Sequence, residues 1–282
     1  MGNDGAMLLT FEPMRSRSLS ASCAAVIAAT CAAAALLGAG PADRPADEGE
    51  VRVAVAANFT APCEEIARAF EKRSGHRVMV SAGSTGKLAA QIQNGAPFDV
   101  LLAADAERPA LLEQGGTAVA GSRFTYARGR LVLWSADPGL VDGAGKVLAA
   151  GRFRHLAIAN PKLAPYGAAA EQVLGGLRLW QRLSPRLVQG EDIGQTYQFV
   201  ASGAAELGFV ALSQVRAAAG GAGGGQIKGS MWIVPEASYR PIDQQAVLLT
   251  SAWGNLAARA FLDFLKGREA RAAIERFGYD LP

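Results

Sequence analysis

Four places in the sequence bring small polar side chains to the point where an apolar strand turns into a helix. In VRVAVAANFT (Val51–Thr60) the strand runs into Ala57 and Asn58. In HRVMVSAGSTGK it runs into Ser84 and Thr85, in HLAIANPKLAPYG into Pro165 and Tyr166, and in LVQGEDIGQ into Asp192, Ile193 and Gly194. The first turn of a helix holds N–H groups without intrahelical acceptors and carries the positive end of the helix dipole, so each junction is able to meet an anion. The side chains at these places are neutral donors rather than Arg or Lys. Such a set suits an anion with no proton at neutral pH, whereas hydrogen phosphate would also need an acceptor. Four converging ends can together offset the desolvation of a buried dianion without a fixed cation. Taken singly, each junction is explained by ordinary helix capping; the joint pattern argues for a ligand.

Other chemistry is poorly supplied. GSTGK fails as a phosphate-binding loop, because Ser81 stands where its first glycine is needed and Leu88 follows Lys87. His76 and His155 stand at strand starts, with no metal-ligand spacing to Cys, His or carboxylate. No G-x-S-x-G elbow and no G-x-G-x-x-G between strand and helix occurs. Cys63 falls on the first turn of a helix, where a thiol can be activated. With no base near it in sequence, it reads as a small packing residue. Asp105, after FDVLLAAD, and Asp192 read as helix N-caps, and Thr60 as the N-cap of TAPCEEIARAFEKRSG, which Pro62 opens and Gly75 stops.

The elements that must position these residues alternate. HRVMVSAG, FDVLLAAD, RLVLWSA, HLAIANP and ELGFVALSQV read as strands with helices between them, which predicts an α/β fold with parallel sheet. Gly208 within its strand implies a close backbone approach. AAAGGAGGGQIKGS reads as a surface loop, and NLAARAFLDFLKG and REARAAIERFG as closing amphipathic helices. The strand count is high for one sheet and no long linker intervenes. Two α/β lobes, with the chain passing between them more than once, fit that pattern.

The chain has 282 residues, half of them hydrophobic, 19% charged, and a formal net charge of +3. Without a basic stripe, this balance gives no footing for nucleic acid. Arg15 and Arg17 precede the uncharged, Ala-rich run Leu19–Gly40, the pattern of a cleaved secretory signal peptide, for which Met14 makes a natural start. The run is also just long enough for a membrane anchor. The Pro/Asp linker PADRPADEGE favours cleavage, and neither Cys23 nor Cys31 has the Leu three residues upstream that a lipoprotein signal carries. Cys63 is then the one cysteine of the exported chain, so no internal disulfide forms.

VAVAANFT, SAGSTGKLAAQI, NGAPFDVLLAAD, SRFTYARGRLVLWSA, NPKLAPYG and ASGAAELGFVAL together resemble the periplasmic molybdate-binding proteins of ABC transporters, over essentially Val51 to Pro282. The resemblance implies a type II periplasmic-binding fold: two lobes, each a mixed, mainly parallel sheet flanked by helices, closing over one tetrahedral oxyanion. On that pattern residues 1–45 are signal peptide and linker, 51–128 with 246–282 form lobe I, and 129–245 form lobe II. It also implies a monomeric, non-enzymatic periplasmic receptor, without cofactor, that takes molybdate or tungstate to an ABC permease in the inner membrane. The ligand residues carried over are Ala57 with Asn58, Ser84 with Thr85, Tyr166, and Ile193 as a backbone donor. Some members have a ligand-binding Tyr where Ala211 stands here, and Tyr166 is placed to supply the missing phenol. The alternatives are a receptor for sulfate or a small organic anion, and an enzyme on the same scaffold, which would need an acid, base or nucleophile that these junctions lack.

Overall fold

The computed structural model describes residues 49–221 and 225–282. The signal segment with its linker lies outside the described residues, as does part of the Gly-rich run. Two sheets of five strands organise the rest. In the first, β1 (Glu50–Ala56) pairs in parallel with β2 (Arg77–Gly83) and with β3 (Val100–Leu102); β10 (Ile242–Leu248) is antiparallel to β3 and to β4 (Phe124–Gly129), giving the order β2-β1-β3-β10-β4. In the second, β6 (Leu156–Ala159) is parallel to β7 (Leu187–Gly190) and β8 (Leu207–Ala211), and β5 (Leu131–Ser135) is antiparallel to β8 and to β9 (Ser230–Ile233), giving β7-β6-β8-β5-β9. Both sheets therefore have one plan, with four strands running one way and the fourth in order against them. This is the expected mixed, mainly parallel architecture.

The helices fall where the strand ends demand. A short 3-10 turn, Ala57–Phe59, leads from β1 into α1 (Thr60–Ser74); α2 (Thr85–Gln93) follows β2, and α3 (Glu107–Gln114) follows β3. In the second half come α4 (Lys146–Ala150), α5 (Pro165–Gly176) after β6, α6 (Trp180–Leu183), α7 (Ile193–Ala201) after β7 and α8 (Leu212–Ala218) after β8. Then α9 (Leu256–Lys266) and α10 (Arg268–Arg276) return to the first sheet, where Phe261, Leu265 and Ile274 share a core with Val53, Phe59 and Phe70. A separate core, including Leu133, Leu156, Leu174 and Phe209, lies on the second sheet. Among the described residues no helix is long and apolar enough to cross a membrane.

The chain passes between the sheets twice. The first crossing is Arg130, between β4 and β5; the second is Val234–Pro241, between β9 and β10. A division placed at 245/246 thus falls inside β10 rather than before it. SRFTYARG, which is not among the expected strands, contains the strand β4 that leads into the first crossing. Gly129 there admits no side chain: an added Cβ would stand 2.1 Å from the Tyr166 hydroxyl and 2.7 Å from Gln244 Nε2. Gly208 shows the expected close approach, since a Cβ on it would meet Ala157 Cβ at 2.8 Å.

Thr60 does not cap α1. Because the 3-10 turn precedes the helix, the Thr60 hydroxyl donates back to the Ala57 carbonyl (3.1 Å), and the cap position is Phe59, without a side-chain bond. Asp105 accepts the Arg108 N–H (2.9 Å) but stands one residue before the cap position of α3, which is Ala106, while Asp192 caps α7 through Gln195 N–H (2.9 Å). Gly75 ends α1 in the left-handed region at φ 76°.

Cys63 is fully buried and unpaired, and burial, helped by the Glu64 charge, pushes its thiol up to about 12 from an ordinary 9.0. Folding thus favours the neutral thiol. Its contribution is complete below the unfolded thiol's pKa and is lost as pH rises toward 12, at about 1.4 kcal/mol per pH unit for each such group. Urea midpoints measured between pH 8 and 11 are expected to fall, and to fall less steeply in Cys63→Ala. An equal slope in both proteins would remove Cys63 from that account.

Candidate functional site

The six residues singled out in the sequence meet at one cavity. Ala57, Asn58, Ser84, Thr85, Tyr166 and Ile193 line it, with Ala56, Gly83, Ala104, Ala164, Pro165 and Asp192 completing the wall. The cavity is tight, about 10 Å³ in volume. A wider groove of about 460 Å³ adjoins it between α1, α7 and α8, and shares Ala57, Asn58 and Asp192 with it.

The symmetry of the two sheets explains the convergence. β1 and β6 occupy the same place in their sheets, as do β2 and β7. Each pair delivers two helix starts, so the wall is built from the ends of β1, β2, β6 and β7. Thr85 and Ile193 are the first residues of α2 and α7, and Tyr166 is the second of α5, after Pro165. At these positions the N–H has no acceptor within its own helix. Proline at the first position costs nothing, because that N–H would be unpaired in any case.

The hydroxyls are arranged as donors. Ser84 Oγ caps α2 by accepting the Lys87 N–H (3.4 Å), and Thr85 Oγ1 accepts the Ala104 N–H (3.0 Å). With an acceptor site used, each O–H proton is free to be given away. Both residues are buried, at 3% and 1% exposure. No Lys, Arg or His lines the cavity; its one ionisable carboxyl, Asp192, is turned to the start of α7. Among the described residues no cluster of three His, Cys, Asp or Glu could hold a metal ion.

Behind the wall lies a buried polar network that the sequence did not reveal. Asn58 Nδ2 donates to Gln244 Oε1 (2.9 Å) and to the Tyr279 hydroxyl (3.0 Å). Tyr126 donates to Gln244 Oε1 (3.0 Å), and Gln244 Nε2 donates to the Tyr166 hydroxyl (3.3 Å). The Asn58 carbonyl accepts from Tyr279 (2.7 Å) and from Ser213 Oγ (2.8 Å), the latter reaching over from the second sheet's side. Burial raises the phenols of Tyr126, Tyr166 and Tyr279, so all three stay protonated at neutral pH. Tyr166 therefore lines the cavity while its hydroxyl is seated against Gln244 and Gly129 at the first crossing. Ala211 is buried in the core of the second sheet and is not part of the cavity wall.

Both sides touch across the cavity. Gly86 N–H donates to the Leu163 carbonyl (2.9 Å), Arg108 Nη2 donates to the Lys162 carbonyl (3.2 Å), and Lys87 pairs with Glu191.

The residues matching the description "bacterial extracellular solute-binding protein" are 51–280, and the chain belongs to that family. Within it, the chain is 56% identical to the molybdate-binding protein ModA of Azotobacter vinelandii over 245 residues, covering 87% of this chain and 95% of the relative. It is 50% identical to the protein of the same name from Rhodobacter capsulatus, over 83% of this chain and 90% of the relative. In structure it is similar to the Azotobacter vinelandii periplasmic molybdate-binding protein, with a TM-score of 0.78, 48% identity, and coverage of 82% of this chain and 99% of that one. These matches bear out the family resemblance and the fold drawn from the sequence.

The network gives a direct test of what holds Tyr166. Tyr166→Phe takes away the hydroxyl that accepts from Gln244 Nε2, inside a buried site. The expected loss of stability is about 1–3 kcal/mol, read from denaturant midpoints. An unchanged midpoint would show that this contact holds nothing.

Proposed function

We propose that this protein is an extracytoplasmic receptor that closes over molybdate or tungstate and delivers the oxyanion to an ABC permease. The observation that carries the proposal is the tight cavity walled by Asn58, Ser84, Thr85, Tyr166, Ala57 and Ile193, with neutral donors from both sheets and no cation. A tetrahedral dianion without a proton matches donors that offer hydrogen and no charge. Relatives at 56% and 50% identity are named molybdate-binding proteins, which supports the same ligand here and a binding protein rather than an enzyme. The oxyanion is cargo, and no cofactor enters the reading. Export by the N-terminal segment and action as a monomer belong to the same proposal.

On this reading the sheets are the cores of two lobes hinged at Arg130 and Val234–Pro241, and the Gly86–Leu163, Arg108–Lys162 and Lys87–Glu191 contacts form on closure. Helix starts then do the work of counter-charges, each amide being fixed before the anion arrives. Selectivity against sulfate follows from cavity size, since both dianions make the same hydrogen-bond demands.

Calorimetric titration with molybdate, tungstate, sulfate and phosphate tests the assignment. Heat is expected with the first two; tight sulfate binding without molybdate heat would overturn it. Ser84→Ala or Asn58→Ala is expected to cost about 1–3 kcal/mol of binding, and wild-type affinity in both would move the site elsewhere. Gly86→Ala separates closure from folding. Alanine is the better helix former by about 1 kcal/mol, yet its Cβ would meet the Leu163 carbonyl oxygen at 3.0 Å. The free protein should melt no lower than wild type while molybdate affinity drops about tenfold, roughly 1.4 kcal/mol. Undiminished affinity would mean that Gly86 and Leu163 need not meet for binding.

A further inference from the structure

Three successive residues tie the first turn of α8 to three other segments. Leu212 N–H donates to the Arg130 carbonyl (3.0 Å) at the first crossing, Ser213 Oγ donates to the Asn58 carbonyl (2.8 Å), and Gln214 Nε2 donates to the Ile193 carbonyl (2.9 Å). Gln214 Oε1 also accepts the Ala211 N–H (3.0 Å), which fastens the helix start to itself. The partners leave no choice of direction. A backbone carbonyl only accepts and a backbone N–H only donates, so one orientation of the Gln214 amide satisfies both neighbours. For the same reason the Ser213 hydroxyl can meet the Asn58 carbonyl only as a donor.

Neither Ser213 nor Gln214 belongs to the wall of the tight cavity; both line the wider groove between α1, α7 and α8. They reach the cavity through the residues that they hold, Asn58 on the first sheet's side and Ile193 on the second's. β8 and α8 thus form a fifth strand-to-helix junction, whose side chains meet the carbonyls of two of the other four. Those two segments need outside support. Asn58 stands in a three-residue 3-10 turn without a side-chain cap, and its carbonyl is held by Ser213 and Tyr279. The Ile193 carbonyl and the Gly194 N–H share one planar peptide, so holding the carbonyl fixes the first peptide of α7. A donor that must be ordered when the anion arrives gives back part of the gain in binding, whereas one fixed beforehand does not.

We propose that Ser213 and Gln214 are positioning residues for the oxyanion: from a single helical turn they hold the Asn58 and Ile193 segments in place on opposite sides of the cavity. This rests on the oxyanion-receptor reading. Ser213 is 3% exposed, so its bond to the Asn58 carbonyl is shielded from competing water. Leu212 ties the same turn to Arg130, and the placement of both donors is therefore referred to the point where the chain changes sheets. Each residue acts on one junction only, Ser213 on that of β1 and Gln214 on that of β7.

Calorimetric titration of the full chain with molybdate tests the pair, at a temperature well below melting. Ser213→Ala and Gln214→Met each remove a donor without adding charge, and each is expected to weaken molybdate binding about tenfold, roughly 1.4 kcal/mol. Ser213→Thr, which keeps the hydroxyl, and Gln198→Met, in the same groove, should stay within about twofold of wild type. Backbone amide NMR of the free protein supplies a readout that general damage to the fold would not select. Gln214→Met should move the Ile193 and Gly194 amide signals and leave those of Ser84 and Thr85 in place. Wild-type affinity in Ser213→Ala and Gln214→Met, even with lowered melting temperatures, would overturn the proposal, as would an equal loss in Gln198→Met. Absence of molybdate heat in the wild-type protein would instead defeat the receptor reading itself.

Discussion

On the receptor reading, an anion taken out of water without a counter-cation has to be met by many fixed dipoles at once, and the architecture is arranged to supply them. One helix start offers a fraction of an elementary charge, so several must point at the same place. A parallel strand followed by a helix puts an N-terminus just beyond the strand's end, and two neighbouring parallel strands put two there. The repeat of one strand order in both sheets supplies the other two from the opposite side. Ala57–Asn58 and Ser84–Thr85 come from β1 and β2, Tyr166 and Ile193 from β6 and β7. The two crossings join the sheets that carry these four ends, and the glycine at the first crossing lets the Tyr166 hydroxyl lie against it.

How much of this was legible in the sequence depends on how local its cause is. The four junctions could be read because a strand end, a polar turn and a helix start lie within a few residues. Ser84 and Asp192 also behave as the caps their types suggest. Thr60 misled because a 3-10 turn intervenes, and nothing in ANFT signals one. The helix α8 was hidden in an apolar run. Its start has Ala211 rather than Ser, Thr or Asp, and the bond that fixes it is donated by the Ala211 N–H to Gln214 Oε1 (3.0 Å).

The network behind the cavity was out of reach for the opposite reason. Asn58 meets Gln244 and Tyr279 across separations of 186 and 221 residues, and no spacing rule spans such a gap. One signal was present. In IDQQAVL, alternation puts Gln244 on the same side of the strand as Ile242, Ala246 and Leu248, all of them buried. A glutamine on an apolar face must have a partner, and finding it required the fold.

Cys63 gains a use from its position. It is sealed in the first sheet's core five residues beyond Asn58, on the helix that the 3-10 turn introduces. It is the free thiol of the described residues. A thiol sealed in this way reacts only when the core around it opens, so its alkylation is a clock for that opening. The protein thus carries its own stopwatch, placed beside the cavity and silent while the wall stands.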